Sequence, residues 1–213
     1  MKPIKHVWFD MEGTLTVHTP KWESAHNKLL LETYSEVTGK PVSDQLWREY
    51  CAIYVQQGTH SAAFRSLGLP SDFWQLRFAK LDEEKYYAPD ERVYATLNKI
   101  RNVVPISLFS NAKPDRIART LKVIEVDSGW FTHILSGDEV PERKPELHGF
   151  HRLIELSALD PGEILYVGDR VKADIDPAKS LGMQTALVWN SDVSADYSFE
   201  NFANLKTLFI HSQ

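Results

Sequence analysis

Short apolar runs that stop at polar residues recur along the chain. Val7–Phe9 ends at Asp10, Ile106–Phe109 at Ser110, Ile164–Val167 at Gly168 and Ala186–Trp189 at Asn190. Thr132–Leu135 before Ser136 is a weaker fifth case. Unbroken runs of this length read as strands buried on both faces. Between them lie stretches with helical spacing and helix punctuation. Pro114 and Pro145 suit first-turn positions, while Asp176-Pro177 opens a further helix and Gly182 closes it. Strands alternating with helices predict a parallel sheet wrapped by helices. Pro105 would remove a ladder hydrogen bond from a central strand, so that strand is expected to start at Ile106.

Residues from about Thr19 to Ala88 follow another pattern. They hold no convincing strand, and Leu46, Trp47, Tyr50, Ile53 and Tyr54 form a helical stripe with Ser43 as its N-cap. Gly58, Gly68-Leu69-Pro70 and Pro89 punctuate several short helices. The expected architecture is a three-layer α/β sandwich with a parallel, Rossmann-like sheet formed by residues 1–18 and 89–213, and a small all-helical insert at 19–88. Trp22, Trp47, Tyr50, Tyr54, Phe64, Phe73 and Trp74 read as the core of that insert. His18, His26 and His60 lack metal-ligand spacing, and His18 reads as a loop residue.

Composition narrows the class. The chain has 213 residues, 43% hydrophobic and 25% charged, the mix of an ordinary globular protein. Its net charge is −5 and it has no lysine or arginine block, which argues against a nucleic-acid backbone as the main partner. Cys51 is the single cysteine, so no intrachain disulfide forms. The apolar run before Asp10 is shorter than the ~7–15 residues of a signal peptide, and no later run approaches the ~20 that span a bilayer. The expectation is a cytoplasmic protein without a membrane partner.

Four polar clusters follow four of the strands, where open α/β sheets bind ligands. Asp10-Met11-Glu12-Gly13-Thr14 places two carboxylates two residues apart, which repel unless a positive charge lies between them. Ser110-Asn111 offers a hydroxyl, an amide and a backbone N–H just before a helix, a place that suits an anion. Lys144-Pro145 opens a helix that continues through Phe150 and Leu153, although a lysine there opposes the helix dipole. Gly168-Asp169 is followed five residues later by Asp174, and Arg170 reads as the partner of a nearby acid. Each cluster alone has an ordinary alternative: a solvated turn, a helix cap or a surface lysine. Taken together, Asp10, Glu12, Asp169 and Asp174 gather in one crevice several negative charges that Mg²⁺ would resolve. Lys144 and Ser110 then complete a site for a phosphate dianion.

The set Asp10-x-Glu12-Gly13-Thr14-Leu15, Ser110-Asn111, Lys144-Pro145-x4-Phe150 and Gly168-Asp169-x4-Asp174 resembles the four motifs of the haloacid dehalogenase-like hydrolases. The resemblance covers roughly residues 4–18 and 90–190, and it makes the helical insert a C1-type cap. It implies hydrolysis of a small phosphomonoester, with a small phosphorylated metabolite as partner. Asp10 would be the nucleophile that forms an aspartyl-phosphate, and Glu12 the general acid/base. Lys144, Ser110 and backbone N–H groups near Glu12, Gly13 and Asn111 would hold the phosphoryl oxygens. Mg²⁺ would be held by Asp10, the Glu12 carbonyl oxygen and Asp169, and Asp174 would bind the metal directly or hold a metal-bound water. Glu12 stands where most phosphatases of the family carry Asp, a feature shared with the enolase-phosphatase branch, whose other motifs match poorly. The dehalogenase and phosphonatase branches lack this acid. A phosphomutase of the same superfamily and a non-catalytic phospho-ligand-binding member are the alternatives.

Overall fold

The computed structural model describes residues 1–17, 19–82 and 85–209, so His18 lies outside the described residues. The chain forms two compact units, one of Met1–Val17 with Ala88–Gln213 and one of His18–Tyr87. Along the sequence come β1 (His6–Phe9), then helices α1 (Pro20–Thr38), α2 (Asp44–Gln57), α3 (His60–Ser66) and α4 (Phe73–Phe78). Next are α5 (Glu91–Arg101), β2 (Ile106–Ser110), α6 (Pro114–Val123), β3 (Phe131–Ser136) and α7 (Leu147–Ser157). The last elements are β4 (Ile164–Gly168), α8 (Asp176–Ser180), β5 (Gln184–Val188), β6 (Tyr197–Phe199) and a 3₁₀ segment, Phe202–Phe209.

The first unit is the α/β fold expected. Its six strands run parallel in the order β3-β2-β1-β4-β5-β6. Every residue of β1, β2, β4 and β5 is buried, because helices cover both faces of a parallel sheet. On one face Trp8, Phe109 and Tyr166 pack against Phe150 and Leu153 of α7 and Ala178 of α8. Gly149 is the residue that lets α7 approach so closely, since a Cβ there would run into the ring of Phe109. On the other face α5 packs against the 3₁₀ segment, and Phe9 meets Phe202 with ring centroids 6.3 Å apart. Order reverses at β1, which pairs with β2 on one side and β4 on the other. The carboxyl ends of these three strands therefore border the crevice at the switch point.

Helix punctuation is borne out at Pro114, in the first turn of α6, and at Gly182, whose φ of 82° ends α8. Two expectations need correction, and one strand is new. Pro145 does not open a helix: α7 starts at Leu147 with Glu146 as its N-cap, and Lys144 lies before it. Trp189 is not part of β5, which ends at Val188, and takes a left-handed φ of 63°. β6 is a sixth strand that apolar runs do not reveal, being three residues long and only half-buried.

The second unit is entirely helical over its described residues. Thr19, Ser43 and Thr59 each accept a hydrogen bond from the backbone N–H three residues on, and Gly39 and Gly58 end α1 and α2 with φ of 68° and 75°. Leu30, Tyr34, Leu46, Tyr50, Ala63, Phe64 and Trp74 form its core, with Trp47, Tyr54 and Phe73 against them. His26 stacks on Trp22 with centroids 4.5 Å apart, and the His60 Nδ1 lies 2.5 Å from the Tyr50 hydroxyl. Most of the aromatic residues of this segment thus serve its own packing.

Candidate active site

Asp10 follows the last residue of β1, its backbone N–H donating to the Val167 carbonyl at 2.9 Å. Its carboxylate is fully buried. Lys144 Nζ lies 2.5 Å from Asp10 Oδ1 and 2.8 Å from Asp174 Oδ1. The same ammonium donates to the Tyr166 hydroxyl at 3.0 Å and to the Phe109 carbonyl at 3.3 Å. Lysines are almost never fully buried unless paired. This one is fully buried and has four oxygens around it.

The turn after β1 wraps the site. Gly13 has a φ of 80°, and a Cβ there would collide with the carboxylate of Asp169. Its N–H donates to Thr16 Oγ1 at 3.0 Å. The Thr14 hydroxyl stands between two acids, 3.3 Å from Asp10 Oδ2 and 3.4 Å from Asp169 Oδ1. Glu12 turns elsewhere: its Oε2 accepts from the Ser110 hydroxyl at 2.8 Å, and its Oε1 lies 3.9 Å from Arg116 Nε. The Asn111 side chain is committed to the backbone of Lys144, accepting from its N–H at 2.8 Å and donating to its carbonyl at 3.0 Å. That clamp fixes the lysine in a segment without regular structure.

Asp174 comes from a π-helical turn, Val171–Ile175, a form of backbone that recurs at functional sites. Its Oδ2 accepts from the Arg170 N–H at 3.3 Å, and the Arg170 Nε lies 3.6 Å from Asp174 and 3.7 Å from Asp169. Gly168 leaves no room for a Cβ beside Asp174. Asp10, Asp169 and Asp174 each offer an oxygen, and the three oxygens lie within 4.8 Å of one another. The structure thus brings together Asp10, Lys144, Asp169 and Asp174, with Ser110 and Glu12 as a bonded pair beside them.

The charges do not balance. Burial pushes the Asp10 carboxyl well above the usual carboxylate range, against the pull of Lys144, and Asp174 adds to the rise. Burial likewise raises Asp169 to about 6, with Arg170 opposing and Asp174 adding. Burial works against the charged form of Lys144, yet Asp10 and Asp174 carry it well above its ordinary value. A hard cation with oxygen ligands fits this donor set, because it would relieve the carboxyl groups that one ammonium cannot.

A model of the haloacid dehalogenase-like hydrolase family matches residues 4–182. The chain belongs to the haloacid dehalogenase-like hydrolases. Among curated proteins this hydrolase is 25% identical over 190 residues to a phosphoglycolate phosphatase of Neisseria gonorrhoeae, covering 84% of this chain and 77% of the relative. It is 25% identical over 203 residues to a glyceraldehyde 3-phosphate phosphatase of Pyrococcus abyssi, covering 87% and 81%. Among solved structures, a haloacid dehalogenase-like family hydrolase of Streptococcus pneumoniae aligns with a TM-score of 0.72 at 16% identity, over 98% of this chain and 100% of the other. That likeness speaks to the fold.

Two neighbours of the site escape the motif reading. Tyr166 sits in an apolar strand, where the only hint was a buried phenol in need of a partner. Arg116 carries no mark beyond its place in the first turn of α6.

Lys144→Met removes the ammonium while keeping an unbranched apolar chain out to the place of the ε-carbon. Breaking a buried ion pair costs about 3–5 kcal/mol, and urea unfolding at neutral pH without divalent cations should read a loss of that order. A loss below about 1 kcal/mol would mean that the carboxyl groups are already neutral and need no counter-charge.

Proposed function

We propose that this hydrolase cleaves a small phosphomonoester with the help of Mg²⁺, through a phosphorylated Asp10. The observation that supports the reading best is the buried Asp10 carboxylate, set against Lys144 and clustered with the carboxyl oxygens of Asp169 and Asp174. The relatives named for phosphoglycolate and glyceraldehyde 3-phosphate support a small phosphorylated metabolite as substrate. Among the described residues no helix is long and apolar enough to cross a membrane.

In the first step an Asp10 oxygen attacks phosphorus, the bond to the leaving oxygen breaks, and that oxygen takes a proton from Glu12. In the second, water attacks phosphorus, its proton passes to Glu12, and the bond to Asp10 breaks. Mg²⁺ would be held by Asp10, Asp169, Asp174 and the Glu12 carbonyl oxygen, and would supply the positive charge that neutralises the phosphoryl oxygens. Lys144 offsets the charge of the remaining oxygens. Ser110 and Glu12 exchange partners: to reach the leaving oxygen Glu12 gives up the Ser110 hydroxyl, which then can donate to the phosphoryl group. Asn111 acts through Lys144, since its side chain holds that residue's backbone at both ends. Gly13 lets the turn pass close to Asp169, where any larger residue would displace the carboxylate.

Asp10→Asn should abolish phosphate release while leaving the fold intact by circular dichroism, because Lys144 keeps Asp174 as a partner. A chelator should stop turnover, Mg²⁺ should restore it, and beryllium fluoride with Mg²⁺ should block it. Turnover surviving in the Asn variant, or in excess chelator, defeats the proposal.

Glu12→Gln separates the two steps. Loss of general acid–base help should slow alkyl phosphates by roughly 10²–10⁴-fold. Aryl phosphates, whose leaving groups need little protonation, should lose far less in the first step, so that aspartyl-phosphate accumulates. If alkyl phosphates still turn over near the parent rate, Glu12 serves only the turn.

Residues 19–88 are proposed as the cap that selects the leaving group, on the strength of the family resemblance. Substitutions at its solvent-facing positions should alter the ranking of a panel of phosphorylated metabolites more than the turnover of a small aryl phosphate. An unchanged ranking across such variants argues against that role.

A further inference from the structure

Trp189 follows the last residue of β5 with a φ of 63°. A bulky side chain in the left-handed region is a strained choice, and such strain persists where the surroundings over-determine it. Its backbone N–H donates to the Phe199 carbonyl at 2.8 Å. Its ring stacks on Phe202 with centroids 5.6 Å apart, and the guanidinium of Arg92 lies 4.6 Å from the ring centroid. Arg92 is held in turn by both carboxylate oxygens of Asp90, at 2.6 to 3.2 Å. Had β5 continued, the indole would stand on a face of the sheet. The left-handed residue instead carries it to the turn after β1, where Nε1 donates to the backbone carbonyl of Thr14 at 2.9 Å.

Thr14 is the residue whose hydroxyl stands between Asp10 and Asp169. The backbone N–H groups of its turn are used locally: those of Thr14, Leu15 and Thr16 all point to the Met11 carbonyl, at 3.3, 2.9 and 3.2 Å. The indole ties that turn to a segment 175 residues away in sequence. We propose that Trp189 is a positioning residue, which fixes Thr14 through its indole N–H and thereby sets the spacing of the Asp10 and Asp169 carboxylates. The inference rests on the reading of those two acids as the reactive and metal-holding groups.

Trp189→Phe keeps an aromatic ring between Phe202 and Arg92 and deletes the N–H. Misplaced reacting groups cost rate steeply, so kcat on a small phosphomonoester should fall about 10-fold while KM stays within about twofold. Titration calorimetry should give a Mg²⁺ Kd about 5-fold weaker. Parent values for kcat and Kd overturn the proposal. A lower melting temperature without those two changes overturns it as well, because that is what a merely structural ring would give. If the parent releases phosphate from no phosphomonoester, the proposed function falls, while the Mg²⁺ measurement still decides the role of Trp189. Should the Phe variant not fold, benzothienylalanine at position 189, close to tryptophan in shape with sulfur in place of the N–H, takes the same two measurements with the same outcomes.

Discussion

Asp10, Asp169 and Asp174 meet at the carboxyl edge of β1 and β4, and between the first and the last of them lies the ammonium of Lys144. In a buried setting like charges at this range cannot all persist, so the arrangement demands positive charge and hydrogen-bond donors from several directions. Much of the local structure follows from that demand. Lys144 is drawn to full burial, Asn111 clamps its backbone, and Arg170 folds back over two of the acids. Gly13 and Gly168 are needed where the backbone comes so close to a carboxylate that no Cβ fits. The π-helical turn adds the further residue that brings Asp174 inward.

The centre of the sheet was legible because its four inner strands, β2, β1, β4 and β5, are buried on both faces. Continuous apolar runs ending in Asp10, Ser110 and Gly168 locate both the strands and the edge where polar residues gather, and the mixed run before Ser136 marks the edge strand β3 more weakly. The nearness of Asp10, Lys144, Asp169 and Asp174 follows from that placement and from parallel order. What stayed hidden depends on backbone torsion and on atoms rather than residue types. The run Ala186–Trp189 gives no sign that its last residue leaves the strand. Pro145 carries the same punctuation whether it opens a helix or precedes one by two residues. Tyr166 reads as one more apolar strand position until its hydroxyl is seen beside Lys144. Glu12 reads as a partner of Asp10 around a cation, yet its carboxylate binds Ser110. Two residues of separation in a turn do not fix where a flexible side chain points.

The insert was legible for a different reason. Its helices are specified by local signals, hydroxyl caps at Thr19, Ser43 and Thr59 and left-handed glycines at Gly39 and Gly58. Its core draws only on its own residues, from Leu30 to Trp74. Such a segment can be read with little reference to the rest of the chain.

The sheet has no such independence in time. Its central strand, β1, is synthesised before the insert, and its neighbours come long after it. Val7 waits about 100 residues for Ile106, and Phe9 waits still longer for Val167. Until then the stretch His-Val-Trp-Phe has no ladder partner on either side, although it forms the middle of the finished sheet. A ribosome-bound chain that ends before β4 therefore carries an open, apolar strand edge, the kind of surface that invites wrong pairing. The price of placing the first-made strand at the centre is a window of exposure during synthesis, and the helical insert lengthens that window by its own span of residues.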